Sequence, residues 1–313
     1  MPKVRWWALA IATGGFLLPL FAFSQPYADV ASVLDLGMGA RPLAMGGAFV
    51  GLADDVNALF FNPAGLARIQ GLPILSSYEV RPGTASYGHL SAAISGLGFG
   101  IHYFDFGKIP ETDEFGNIIG YFSYRDYFLI AGAGLSLLKD IPLLGEFDLG
   151  VIAKYVKVST LVPGSGSGAA LDLAFLLGGN GTSLVQDSLT DARLGILLKN
   201  LVGLPLTYKS GHQETWPRSV IVGASAELFR QWTLAMDFAP ARGVRFGLEW
   251  RPISGFALRA GLRGEGVPIW SLGIGVRFNA FTLDYALVVH PYLAEQHRLS
   301  LGFAFPLFSP YRK

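Results

Sequence analysis

The chain has 313 residues, of which 51% are hydrophobic and 15% charged, with a net charge of +1, 40 Gly, 23 Phe and no Cys. An ordinary soluble domain carries about 25% charged residues. Near-neutral charge without any Lys/Arg block excludes a general nucleic-acid binder, and the missing cysteine excludes disulfides, thiolate metal sites and a Cys nucleophile.

Lys3 and Arg5 precede an apolar stretch over 6–23 that contains Gly14, Gly15 and Pro19. Ala22 and Ser24 occupy the small-residue positions of a cleavage site, so residues 1–24 read as a signal peptide cut before Gln25; a retained anchor helix is the alternative. Beyond residue 24 no run of about 20 apolar residues exists, so any membrane crossing by the mature chain uses strands.

Residues 25–70 form a distinct segment. Over 42–60 the small and apolar residues follow helical spacing, with Asp54 and Asp55 on the polar side, which predicts one or two short helices broken by Gly46 and Gly47. Pro63 disfavours helix at Asn62. Asn62, Pro63, Ala64 and Gly65 together predict a turn, because Asn bonds downstream backbone, Pro fixes φ and Gly permits a left-handed conformation. Such a turn either holds a compact plug or simply ends a helix.

From residue 72 the period of two takes over. It predicts strands over 72–80, 84–94, 96–106, 122–138, 147–158, 167–177, 192–201, 217–229, 232–239, 244–251, 255–263, 269–278, 280–289 and 296–305. Loops are predicted over 107–121, 139–146, 159–166, 178–191, 202–216, 264–268 and 290–295, with tight turns between the other strands. Aromatics, among them Trp216, Trp232, Trp250, Trp270, Phe278 and Phe281, cluster near strand ends, as membrane girdles do.

The two faces of the later strands differ sharply. Val244, Phe246, Leu248 and Trp250 oppose Arg245, Gly247 and Glu249. Trp270, Leu272, Ile274, Val276 and Phe278 oppose Ser271, Gly273, Gly275 and Arg277. An apolar face this continuous, with no helix to cover it, faces lipid. The fold class is therefore all-β: an antiparallel transmembrane β-barrel of about fourteen strands over 71–305, with a short N-terminal helical segment over 25–70 and a tail over 306–313. A soluble β-sandwich or closed soluble barrel is the competing fold. An Arg on the lipid side at mid-bilayer costs about 2–4 kcal/mol. Glu227, Asp237, Arg245, Glu249, Arg259, Arg263, Arg277, Asp284 and Arg298 are thus expected to point into the lumen. There they form either a polar constriction that anchors a ligand carboxylate or an ion-pair network that rigidifies a filled barrel. The inward glycines leave room for a plug or a narrow path.

Other motifs carry little chemistry. The glycine-serine run over 164–168 lacks the Lys-Ser/Thr of a phosphate loop. Glu111, Asp113 and Glu114 lack calcium-loop spacing and read as solvated charge. Asn180-Gly181-Thr182 is a sequon in form only. The five His are dispersed and no G-x-S-x-G occurs, so no enzyme, metal or cofactor is expected.

The stretch from Gly37-Met38-Gly39-Ala40-Arg41-Pro42 through Ala53-Asp54-Asp55-Val56-Asn57 to Asn62-Pro63-Ala64-Gly65-Leu66 resembles the N-terminal segment of FadL-type outer-membrane barrels, most of all their PorV/PorQ branch. Leu283-Asp284-Tyr285-Ala286 and His297-Arg298-Leu299-Ser300-Leu301-Gly302-Phe303 are similar to that branch's last two strands. The resemblance implies a fourteen-stranded barrel in the bacterial outer membrane. It also implies that Arg41, Asp54, Asp55, Asn57, Asn62, Pro63, Ala64 and Gly65 belong to a hatch folded inside the barrel at its periplasmic end. Phe305 looks like the terminal aromatic used in barrel assembly, although residues 306–313 continue beyond it. Two functions follow from the resemblance: passage or binding of hydrophobic compounds, with outer-membrane lipid and a hydrophobic small molecule as partners, or an accessory role in a type IX-like secretion system, with secreted-protein sorting domains and secretion components as partners.

Overall fold

The computed structural model describes residues 37–80, 85–142, 144–161, 164–179, 183–185, 188–240, 242–264 and 266–306. The expected signal peptide over 1–24, residues 25–36, the sequon and residues 307–313 lie outside the described residues. The strands are β1 (Leu72–Val80), β2 (Ser86–Ile94), β3 (Leu97–Thr112), β4 (Ile118–Ile141), β5 (Gly145–Ser159), β6 (Gly166–Gly178), β7 (Ser183–Val185), β8 (Leu189–Tyr208), β9 (Gln213–Glu214), β10 (Ser219–Leu228), β11 (Trp232–Ala239), β12 (Gly243–Ile253), β13 (Phe256–Gly264), β14 (Pro268–Phe278), β15 (Phe281–Val289) and β16 (Gln296–Phe305). β7 and β9 are short additions against β8; the other fourteen form a closed antiparallel barrel. Closure runs through β1 on β16, from Leu72↔Phe305 to Val80↔His297, and through β8 on β10, from Ser219↔Lys199 to Leu228↔Leu189. A closed ring leaves no backbone edge facing hydrocarbon, which is what a membrane demands of strands.

The outward faces are the apolar ones, as alternation predicts. Phe99, Ile101, Leu129, Leu272 and Leu301 are each more than half exposed, a surface that water does not tolerate over this extent. Aromatics bound the belt. Tyr103, Tyr127, Tyr155 and Trp270 stand toward one rim, and the stacked pair Trp232–Trp250, Phe278 and Phe281 toward the other. On β5 the outward face runs from Phe147 to Tyr155, about 27 Å along the strand and about 20 Å along the normal at a typical tilt. Residues 72 and 305 share the rim with turns at 95–96, 229–231, 254–255 and 279–280, the periplasmic side by the usual asymmetry of barrel loops.

The loops predicted over 107–121, 139–146 and 202–216 are largely strand. β3 and β4 continue as a paired hairpin, Lys108↔Ser123 to Thr112↔Ile118, after a bulge at Asp105/Lys108. β4 and β5 extend to Ile141 and Gly145, and β8 runs on to Tyr208. The hydrogen-bonded ladder outlasts the apolar alternation because the strands leave lipid before they end. Above the membrane either face is wet and the pattern lapses.

Residues 37–70 lie inside the barrel. α1 (Ala40–Ala44) ends before Gly46 and Gly47, both with positive φ, and α2 (Ala58–Phe61) ends at Asn62. The helical stretch expected over 42–60 is thus two single turns separated by irregular chain. The expected turn at 62–65 instead opens a 3-10 helix (Pro63–Arg68), with extended Asn62 as its cap accepting from the Ala64 N–H. Gly65 is not left-handed. It is Gly because a Cβ there would strike the Ala53 carbonyl.

The barrel wall makes room for this segment with inward glycines. A Cβ on Gly150 would meet Ala64 backbone, on Gly195 Val50, on Gly223 Gly51, on Gly247 and Gly261 Met45 and Gly46, and on Gly273 Ala44. These positions span β5 to β14, so the segment is gripped from most of the circumference. Gly261→Val is expected to cost about 1–3 kcal/mol of seating, as overpacking does. Limited proteolysis should then cut within 37–70 faster than in the wild type, while the barrel keeps heat-modifiable migration in SDS gels; equal cleavage rates would contradict the fit.

Candidate functional site

The lumen has two unlike halves. Along β10–β16 and β1 it is polar, and its charges are matched to the N-terminal segment. Arg41, on α1, donates from Nε to Glu249 Oε2 at 2.8 Å, and from Nη1 to Asp54 Oδ1 at 2.6 Å and Asp55 Oδ2 at 2.8 Å. Glu249 also accepts from Arg259 Nε at 2.7 Å, and Arg259 Nη1 reaches Asp284 Oδ1 at 2.6 Å. Asn57 ties Asp55 from its own N–H and its side-chain amide. Burial and the adjacent Asp54 push the Asp55 carboxyl up, against the pull of Arg41. One rung of charge therefore runs from the segment across β12 and β13 to β15.

Asp237 has a different task. Its carboxylate accepts from the Phe49 and Val50 N–H groups at 2.8 and 2.9 Å, satisfying backbone donors that are buried without a ladder. Ser300 and Ser271 do the same for the Ala40 and Gly46 N–H groups, and the Asn62 amide donates to the Val50 and Phe175 carbonyls. Arg298, fully buried, pairs with Glu79 at 2.7 Å through Nε, donates to the Gly37 carbonyl and stacks on Tyr87 at 4.7 Å.

The remaining expected lumen charges separate. Glu227 pairs with Arg251 at 2.5 Å, both partly exposed toward the periplasmic mouth. Arg277 continues its strand's inward face but stands exposed beside the 279–280 turn, away from the rung. Arg245 and Arg263 lie directly opposite each other on β12 and β13. They line a cavity of about 50 Å³ on the extracellular side of the N-terminal segment, with Lys199 and Arg242. Its apolar surface comes from Leu43, Val50, Phe60 and Phe61 of the segment and from Leu197 and Ile221 of the wall.

Along β2–β8 the inward face is mostly apolar. Phe104, Phe128, Ile130, Ile152, Val156, Val158, Leu206 and Trp216 form one buried cluster with Leu59 and Leu66 of the segment. Some of its polar interruptions are paired, such as Lys154, which binds Asp172 and Asn200, and Arg68 from the segment on Asp148 at 2.5 Å; others, the stacked His89 and His102 among them, keep buried ring nitrogens without a hydrogen-bond partner among the described residues. At the extracellular hairpin tip Asp113 accepts from the N–H groups of Phe115 and Asn117 and from the Asn117 amide. It closes a turn, and among the described residues no group of metal-binding side chains forms.

The structure thus brings together Arg41, Asp54, Asp55, Asn57, Glu249, Arg259 and Asp284, and sets Arg245 and Arg263 apart in the cavity. Sequence reasoning missed Glu79, Lys199, Arg242 and the apolar wall. Glu79 and the wall sit at inward parity on strands whose faces read apolar on both sides. Lys199 adjoins the bulge at Asn200, and Arg242 lies in a turn, so neither has a period to read.

No family model and no curated relative matches the chain. Solved structures do. The toluene transporter TbuX of Ralstonia pickettii superposes with a TM-score of 0.56 at 13% identity, over 86% of this chain and 98% of that one. The Pseudomonas putida toluene transporter TodX gives 0.56 at 14%, over 87% and 98%. The CymD monoaromatic hydrocarbon channel gives 0.56 at 14%, over 88% and 99%. All three are transporters or channels. At these identities the likeness is one of fold, a closed antiparallel β-barrel of the bacterial outer membrane.

Proposed function

We propose that this barrel passes hydrophobic compounds across the outer membrane, with residues 37–70 acting as its hatch. The observation that carries this reading is the apolar inner wall of β2–β8. Barrels that conduct water-soluble solutes line their interior with polar groups, whereas Phe104, Phe128, Ile152 and Val156 make this inward face apolar, packed against Leu59 and Leu66 of the hatch. The structural neighbours named for toluene and monoaromatic hydrocarbons support the same class.

In proteoliposomes the wild type is expected to take up a monoaromatic hydrocarbon faster than a sugar of similar mass. Phe128→Asp with Val156→Asp is expected to slow uptake about tenfold, ~1.4 kcal/mol, at unchanged barrel migration. Uptake indifferent to both changes would remove the reading.

The hatch assignment rests on the ionic rung. Removing one partner of a buried pair costs about 3–5 kcal/mol, so Glu249→Gln is expected to loosen Arg41 and raise leak conductance in planar bilayers. Conductance equal to the wild type would mean that the rung does not hold the hatch shut.

The resemblance of residues 37–66 and 283–303 to the PorV/PorQ branch supports a second reading, an adaptor for secreted-protein sorting domains. It predicts that native membrane preparations yield the barrel with exported proteins sharing a C-terminal domain. A barrel recovered without such proteins, yet active in uptake, favours transport.

A further inference from the structure

The outward faces of β10–β15 carry no Lys, Arg, Asp or Glu between Val220 and Val289 along their paired lengths, and that of β16 carries none from Leu299 to Phe305. The extracellular ends of β3–β5 differ. Above the outward tyrosines Tyr103, Tyr127 and Tyr155 stand Lys108, Arg125 and Lys157, all exposed. The register places them on one surface. Lys157 is opposite Tyr127, Arg125 is opposite both Asp105 and Ser159, and Lys108 is opposite Ser123. The Gly107 bulge turns Lys108 onto this face; without it, strict alternation from Asp105 would leave Lys108 inward.

Arg125 is positioned rather than loose. Its Nε donates to Asp105 Oδ2 at 3.0 Å, and the same oxygen accepts from the Tyr103 hydroxyl at 2.6 Å. The Arg125 side chain nevertheless stays 44% exposed. Lys157 lies two residues beyond Tyr155, about 5 Å further along the normal at a typical strand tilt, which is headgroup depth rather than hydrocarbon. Three cations with the Ser123 and Ser159 hydroxyls beside them match a phosphate in charge and donor number. Below them the surface continues as Ile101, Leu129 and Val151, all exposed to lipid.

We propose that the extracellular ends of β3–β5 bind a phosphorylated lipid headgroup of the outer leaflet, with Lys108, Arg125 and Lys157 as the phosphate ligands. The source is a lipid because the cations lie on the lipid side of the wall, directly over the apolar strip where acyl chains pack. This surface faces away from the lumen and is independent of what the barrel transports.

The full chain in phosphatidylcholine nanodiscs, with and without lipid A, tests it. Lipid A is expected to raise the melting temperature of the wild type. Lys108→Gln with Arg125→Gln and Lys157→Gln should lose most of that rise while melting as the wild type does in phosphatidylcholine alone. Lys157→Gln by itself should lose part of it, and Lys157→Arg should keep it. A triple variant that retains the full rise overturns the site. A rise given equally by inorganic phosphate without lipid A overturns the lipid as its ligand.

Discussion

The whole molecule depends on the closing of the strand ring. In hydrocarbon every peptide N–H and C=O needs a partner from the protein itself. β1 meets β16 through nine paired residues, and β8 meets β10 with one irregularity near Ser225. Given closure, the side chains sort by the pleat. Residues of one parity meet lipid, those of the other meet the interior, and a shift by one would exchange them. The apolar belt and the charged lumen are two consequences of one register.

A filled interior brings its own difficulty. Residues 37–70 carry backbone groups into the barrel with little regular structure to satisfy them. Wall side chains answer this need. Asp237 takes three N–H groups of the segment, Ser271 and Ser300 one each, and Asn62 bridges the segment to the Phe175 carbonyl. Inward glycines let the two backbones approach so closely, and the Arg41–Glu249–Arg259–Asp284 rung ties charge on the segment to charge on the wall. The seat is therefore specific in shape, hydrogen bonding and charge together.

The two halves of the interior divide the work. The polar half holds the segment by charge and hydrogen bonds, the apolar half packs on its Leu59 and Leu66, and the cavity with Lys199, Arg242, Arg245 and Arg263 lies where they meet. Much of the polar half was legible in the chain. Glu249, Arg259, Asp284 and Arg298 alternate with apolar neighbours on strands of clean period two, so their inward direction followed from the cost of charge in lipid. The apolar half was not legible as a half, because Phe128, Ile130, Ile152 and Val156 sit inward while Leu129, Val151 and Tyr155 sit outward. A strand apolar on both faces has a composition but no readable direction.

The sequence by itself determined that this protein is a strand-only membrane barrel with a distinct N-terminal segment. Period two, low charge and the lack of a long apolar run beyond residue 24 are local properties, and they survive any error in strand ends. Which inward charges pair, and which do not, was decided by tertiary structure. Glu249 and Arg41 are 208 residues apart, and their meeting depends on the number of strands, the register and the depth of the segment. The same holds for the roles of Asn62 and Gly65. A turn read from local preference became a helix cap and a point of close approach to Ala53, because the partner that decided the matter lies elsewhere in the chain.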